Sequence, residues 1–198
     1  MKNKIPKPVK LFLLKATLLF SVWKLLYLLY LLPHRTLDRP LTSALGVSTV
    51  TALNAFDRSQ PYSTGAGIHT KNLPEGGTIS EAGMDIFHDG NSVLFIADAC
   101  NGLELMVLYA GLIICLPSSS RRKWLFITGG ILFIEVINVL RCMGLVQVYR
   151  QRPDWLNFAH HYLFSFIVYA AIFWLWYIFS RDRGVINKFH LNAQVGVQ

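Results

Sequence analysis

Three side chains of different chemistry stand out in this 198-residue sequence: the thiol of Cys100, the guanidinium of Arg141, and the imidazole of His160 or its neighbour His161. A thiolate attacks a carbonyl carbon and holds the acyl group as a thioester, dividing one difficult step into two. An imidazole lowers the thiol's pKa or delivers a proton to a departing amine. A fixed guanidinium donates hydrogen bonds to an oxyanion, most strongly where water is scarce. Together the three suit acyl transfer. Glu135 and Asn138 precede Arg141 at successive three-residue steps, so the same segment carries a polar stripe. Taken singly, each group has a plainer reading: an arginine near a helix end snorkels to headgroups, and adjacent histidines are tolerated at an interface. Cys115 and Cys142 read as ordinary buried thiols.

The elements that must position these groups are membrane helices. Of the residues, 53% are hydrophobic and 15% charged, and the mean hydropathy is +0.40. Soluble domains carry about a quarter charged residues, so a water-soluble globule is excluded. Thirteen Phe, eight Tyr and five Trp fit the aromatic belts of a bilayer protein. Four apolar runs approach the ~20 residues needed to span it: 11–32, 100–117, 124–148 and 158–180. The expectation is an all-α integral membrane protein, one multi-pass domain over residues 1–198 with about four transmembrane helices. The first run is long and lacks a small-x-small cleavage site, which favours a retained anchor over a signal peptide. Segment 41–56 is short and rich in Ser and Thr. It reads as an amphipathic helix on the membrane surface, with a fifth span as the alternative.

Lys and Arg collect in short cytoplasmic loops. Four spans place the basic N-terminus (1–10), Arg121 to Lys123 and the tail (181–198) inside the cell. Segment 33–99 then lies outside, with four basic residues (Arg35, Arg39, Arg58, Lys71) against seven acidic ones. Arg150 and Arg152 on the outer side are the dissent. The net charge of +8 is thus explained without nucleic acid. The expected location is the inner, or plasma, membrane, with lipid as the surrounding partner. Three widely spaced cysteines with no C-x-x-C pair support neither a disulfide framework nor zinc, and no metal or cofactor is expected.

Depth brings the chemistry together. Cys100 opens the second span at its outer end. Arg141 lies 17 residues beyond Trp124, about 26 Å up the third. His160 and His161 open the fourth, again outside. In the outer segment, Asp89-Gly90-Asn91 between apolar runs signals a short β-hairpin (84–88 and 92–97) that leads to Cys100. The stretch before it, with Gly65, Gly67, Pro74, Gly76 and Gly77, reads as loop. Lys24 and Glu135 fall at similar depths, about 20 and 17 Å from the inner face, which predicts that they pair.

At these residues the chain resembles the exosortase/archaeosortase family, from about residue 79 to 180. Cys100-Asn101-Gly102-Leu103 is similar to its Cys-Ser-Gly-Leu block, and Asn138-Val139-Leu140-Arg141 to its Asn-x-x-Arg block. Phe158-Ala159-His160-His161, leading to Tyr169, resembles the start of its last helix. The resemblance implies a cysteine transpeptidase with Cys100 as nucleophile, Arg141 at the oxyanion and His160 as acid/base. It places Asn101, Gly102, Asn138 and Glu135 in support. The substrates implied are exported proteins whose C-terminal tail holds a short motif, a transmembrane helix and a basic end. The new carboxyl group passes to an acceptor, a glycan or lipid. Asn101 replaces the family's frequent Ser, and Ala97-Asp98-Ala99 replaces a commoner acidic pair. The family block favours His160, whereas the i, i+4 stripe of Asn157, His161, Ser165 and Tyr169 favours His161.

Two other functions compete. A membrane thiol–disulfide oxidoreductase would use Cys100 and Cys142, but disulfide relay usually needs paired thiols. A non-catalytic scaffold or transporter subunit would use Glu135 and Arg141 only to hold helices together, though no repeat symmetry supports a transporter.

Overall fold

A computed structural model describes residues 7–56, 61–72 and 77–181. Helix α1 (Lys7–Leu26) runs on through a π-helical turn, Tyr27–Leu31, into the short α2 (Leu32–His34). After a turn comes α3 (Asp38–Phe56), then strands β1 (Ser63–Asn72), β2 (Thr78–His88) and β3 (Asn91–Ala97). A 3₁₀ turn, Asp98–Cys100, leads into α4 (Leu103–Cys115), followed by the long α5 (Ser120–Gln151). The chain returns through a 3₁₀ turn at Pro153–Trp155, α6 (Leu156–Phe158), a second π-helical turn at Ala159–Leu163, and α7 (Phe164–Ser180).

Three helical stretches are long and apolar enough to cross a membrane: Val9–His34, Ser120–Gln151 and Pro153–Ser180. They correspond to the runs expected at 11–32, 124–148 and 158–180. Their outward surfaces expose Leu29, Leu125, Phe166 and Phe173, as a lipid-facing wall requires. The run expected at 100–117 forms only the 13-residue α4, about 20 Å long and short of the ~30 Å hydrocarbon layer.

The described residues form two compact units. One draws on Met1–Pro33, Glu104–Ile134 and Ala170–Gln198. Here Leu19 and Phe20 of α1 reach Gly111 of α4, and the Tyr109 ring lies against Gly130 of α5. Tyr109 is fully buried and donates its hydroxyl proton to the Phe126 carbonyl at 2.8 Å. Arg122 donates to the Phe179 carbonyl at 3.1 Å and sits over the Phe126 and Phe179 rings. Lys24 forms its ion pair with Glu104, not with Glu135 as its depth had suggested. Equal depth is necessary for pairing, but it leaves the facing of each helix open, and Glu104 on α4 is the carboxylate that faces Lys24.

The other unit draws on His34–Leu103 and Glu135–Tyr169. Its antiparallel sheet has the order β1-β2-β3. The expected hairpin is present, closed by Asp89 and Gly90 at φ +52° and +75°. Two successive positive φ values match the right-handed twist of the strands, and Asp-Gly tolerates them. The segment before it is not loop throughout: β1 pairs with β2 in unbroken register from Ser63↔Phe87 to Asn72↔Thr78. Gly65 and Gly67 hide the strand from a propensity reading, yet Gly67 leaves room for the Asp85 carboxylate beside it. Pro74 and Gly76 lie outside the described residues.

Helix α3 corrects the surface-helix reading of 41–56. It begins at Asp38, and its buried face comprises Asp38, Thr42, Leu45, Gly46, Thr49 and Leu53. The polar residues of this stripe point inward. Thr42 and Thr49 satisfy their hydroxyls on the carbonyls four residues back, at 2.8 and 2.7 Å. Leu45 and Leu53 join Tyr62, Ile86, Val93, Ile96, Cys142 and Val146 in the core. Arg150, a dissent from the charge rule, donates to the Tyr62 hydroxyl at 2.7 Å, and Asn54 holds the Tyr62 backbone from both sides.

Candidate active site

Cys100 ends the 3₁₀ turn and is half-buried. The turn is held from both flanks. Arg35 Nε donates to Asp98 Oδ2 at 2.6 Å, and the Thr42 hydroxyl lies 2.8 Å from Asp98 Oδ1. Arg35 adopts φ +50° in the bend between α2 and α3, a left-handed conformation uncommon outside glycine. The Asp98 bond raises its pKa above the usual guanidinium range, outweighing burial, which acts the other way.

Asn101 is 2% exposed and works in two directions. Its side-chain oxygen accepts the Leu103 amide at 2.9 Å, capping α4, while its Nδ2 donates to Asp38 Oδ1 at 3.0 Å. An amide can accept and donate at separate atoms, so Asn in place of Ser connects α4 to α3. Gly102 has φ +84°, and a Cβ there would overlap the Asn138 amide. Only glycine meets both demands. Asn138 is 1% exposed and donates to the Asn101 carbonyl at 3.4 Å.

One turn beyond Asn138, Arg141 Nη2 lies 3.1 Å from His160 Nε2. A guanidinium only donates, so His160 accepts here: its ring is neutral and its proton sits on Nδ1. His161 is exposed instead. The π-helical turn Ala159–Leu163 breaks the i, i+4 period on which the His161 stripe rested. Asn157 and Tyr169 are exposed as well, while Ser165 bonds back to the His160 carbonyl at 3.2 Å.

The stripe on α5 has buried polar atoms to spare. Glu135 Oε2, Asn138 Oδ1 and Arg141 Nε make no hydrogen bond among the described residues. His160 also lines an open cleft of about 460 Å³, between residues 92–95 of β3 and Tyr149, Pro153, Leu156 and Asn157.

The structure therefore brings Arg141 to His160, and Asn138 to the turn that carries Cys100. It forms no hydrogen bond between the Cys100 thiol and either Arg141 or His160. Cys142 is 5% exposed in the core, and no group of three His, Cys, Asp or Glu among the described residues is placed to hold a metal. Arg35, Asp38 and Thr42 were missed as parts of this site. Their signal was faint: Asp38 and Thr42 stand four residues apart, and Asp98 is the acid nearest Cys100.

Fold and site together define a membrane-embedded, mostly helical protein with a cysteine held just after a small three-stranded antiparallel sheet. The chain matches the family model described as transmembrane exosortase (Exosortase_EpsH) over residues 9–178, and it belongs to that family. The family is one of transpeptidase-type membrane enzymes that process exported proteins bearing C-terminal sorting signals. Neither a curated protein nor a solved structure matches the chain significantly.

Proposed function

We propose that this exosortase cleaves C-terminal sorting tails through a Cys100 thioester and transfers the new carboxyl group to an acceptor. The observation that carries the reading is the pairing of Arg141 with His160 beside a spare, buried Arg141 Nε–H. That donor has no acceptor in the resting protein and is suited to a developing oxyanion. The Cys100 thiol gives its proton to His160 Nε2 once the Arg141 contact opens. The sulfur then bonds to the scissile carbonyl carbon, and its oxygen takes the negative charge next to Arg141. As the C–N bond breaks, His160 returns the proton to the departing amine, leaving a thioester. An acceptor nucleophile then attacks the thioester and loses its proton by way of His160, and the thiol is restored. Asn101, Gly102 and Asn138 position the nucleophile's turn, and Glu135 lies one three-residue step before Asn138 on the stripe.

In this reading the chain crosses four times with both termini cytoplasmic, α4 with its flanking residues serving as the short crossing, and the chemistry takes place at the outer face of the plasma membrane. The basic residues at the N-terminus, at Arg121 to Lys123 and in the tail support it. A disulfide relay through Cys142 is disfavoured by the burial of that thiol. The test is processing of tail-bearing exported proteins in cells carrying Cys100→Ala. Tails should accumulate uncleaved, while Cys115→Ala and Cys142→Ala should process them. Normal cleavage by Cys100→Ala overturns the mechanism.

A further inference from the structure

Strand β3 is an outer strand: β2 pairs with one of its edges, and no described strand pairs with the other. Successive side chains of a strand point to opposite faces. Four consecutive residues, 92–95, nevertheless line the same cleft. That is possible where a cleft runs along the strand's edge, beside its unpaired main-chain N–H and C=O groups.

Exposed edges are commonly blunted by lysine, proline or inward charge. The sequence of β3, NSVLFIA, contains none of these, and a bulge is its one blunting device. Its register contains a bulge at Val93, which has no partner between Ser92 and Leu94. The opposite wall offers Leu156, Asn157 and His160. No wall residue is charged, so the cleft suits a neutral segment recognised through its main chain. Four strand residues extend about 13 Å, room for about four residues of extended peptide. Downstream, β3 passes through Ile96 and Ala97 directly into the turn Asp98–Cys100.

We propose that the free edge of β3 takes up, as an added strand, the extended stretch of an exported protein that lies just before its membrane helix. The proposal rests on the transpeptidase reading and assigns where the substrate is read. Main-chain hydrogen bonds to β3 supply affinity, and the side-chain pockets between β3 and Leu156 supply selectivity. Bound this way, the peptide lies beside His160 and along the line of chain that ends at Cys100.

The test uses the full-length Cys100→Ala protein in its native membrane, with photoreactive benzoylphenylalanine in place of Leu94. A second chain carries it in place of Ile68, on β1. Mass spectrometry of the adducts should place the Leu94 crosslinks in the stretch before an apolar helix, on alternate residues as strand pairing dictates. Ile68 should not capture that stretch. Adducts within the apolar helix, adducts on consecutive residues, equal capture by Ile68, or no Leu94 adduct would each overturn the proposal. A charge on the edge gives an independent measurement. Leu94 also packs against the core, so Leu94→Ala serves as the reference: relative to it, Leu94→Lys should raise KM for tail processing by about tenfold at similar kcat. An unchanged KM, or a loss in kcat alone, overturns it. The two readings fail separately. An inactive Cys100→Ala chain without Leu94 adducts removes the strand site only, whereas an active Cys100→Ala chain removes the transpeptidase reading.

Discussion

Arg35 holds Asp98 through a 2.6 Å hydrogen bond, two residues before the cysteine that the acyl-transfer reading requires. Asp98 Oδ1 is engaged as well, by the Thr42 hydroxyl. The carboxylate thus ties the bend before α3 and the start of α3 itself to the turn that carries Cys100.

Asp98→Ala releases both partners while leaving the helices intact. Processing should fall, by up to about 10²-fold if the thiol shifts by 1 Å. Alkylation of Cys100 by iodoacetamide, in a Cys115→Ala, Cys142→Ala background, reports the thiol without needing a substrate. Its rate should change in Asp98→Ala and return toward that of the parent in Asp98→Glu. An unchanged rate in Asp98→Ala would show that the turn holds its shape alone.

The two histidines should separate cleanly. His160→Asn should abolish processing, because it removes the group at Arg141, whereas His161→Asn should remain active. Arg141→Lys keeps a charge but loses the planar fork, and should cost about 10²–10³ in rate. Equal damage from both histidine variants would mean that the π-helical turn does not set their roles.

Gly102→Ala faces a strained φ and a clash with Asn138 together. Strain of this kind costs about 1–3 kcal/mol, and thermal unfolding in detergent should show a loss of at least that size. Asn138→Gly alone also costs stability, through a lost hydrogen bond and a mid-helix glycine, so the clash is read as coupling: the double variant should be less destabilised than the two single losses added together. Strict additivity would leave the φ strain as the whole cost.

Topology is read by reporters. A fusion after Ala66, in β1, should be labelled from outside the cell, and one after Arg183 only from inside. Cytoplasmic labelling at Ala66 would put the candidate site on the wrong face.

Much of this was legible in the sequence because the relevant signals are local or periodic. The three long apolar stretches follow from composition, and the hairpin from Asp89-Gly90. Cys100, Asn138 and Arg141 follow from motifs lying on single elements. What escaped depends on tertiary pairing. Strand β1 is glycine-rich and exists through its register with β2. Helix α3 carries Asp38, Thr42 and Thr49 on its inner face, against the usual sense of amphipathicity, because Asp98 accepts from Thr42, Asn101 donates to Asp38, and Thr49 bonds to the Leu45 carbonyl there. Lys24 found Glu104 because facing, not depth alone, decides a pair. That His160 and not His161 meets Arg141 goes with one extra residue in a helical turn, which no i, i+4 pattern registers.

Asn101 carries a consequence for biogenesis. Its contacts reach back 63 residues to Asp38 and forward 37 residues to Asn138. Contacts so distant form only after the intervening chain has been made and folded back. A nascent chain that has just exposed Cys100 therefore carries the thiol on an incomplete turn. The last support arrives when α5 has been synthesised past residue 138, and His160 follows later still. The supports of the Cys100 turn and the Arg141–His160 contact are therefore completed only while the last membrane stretch, Pro153–Ser180, is being made.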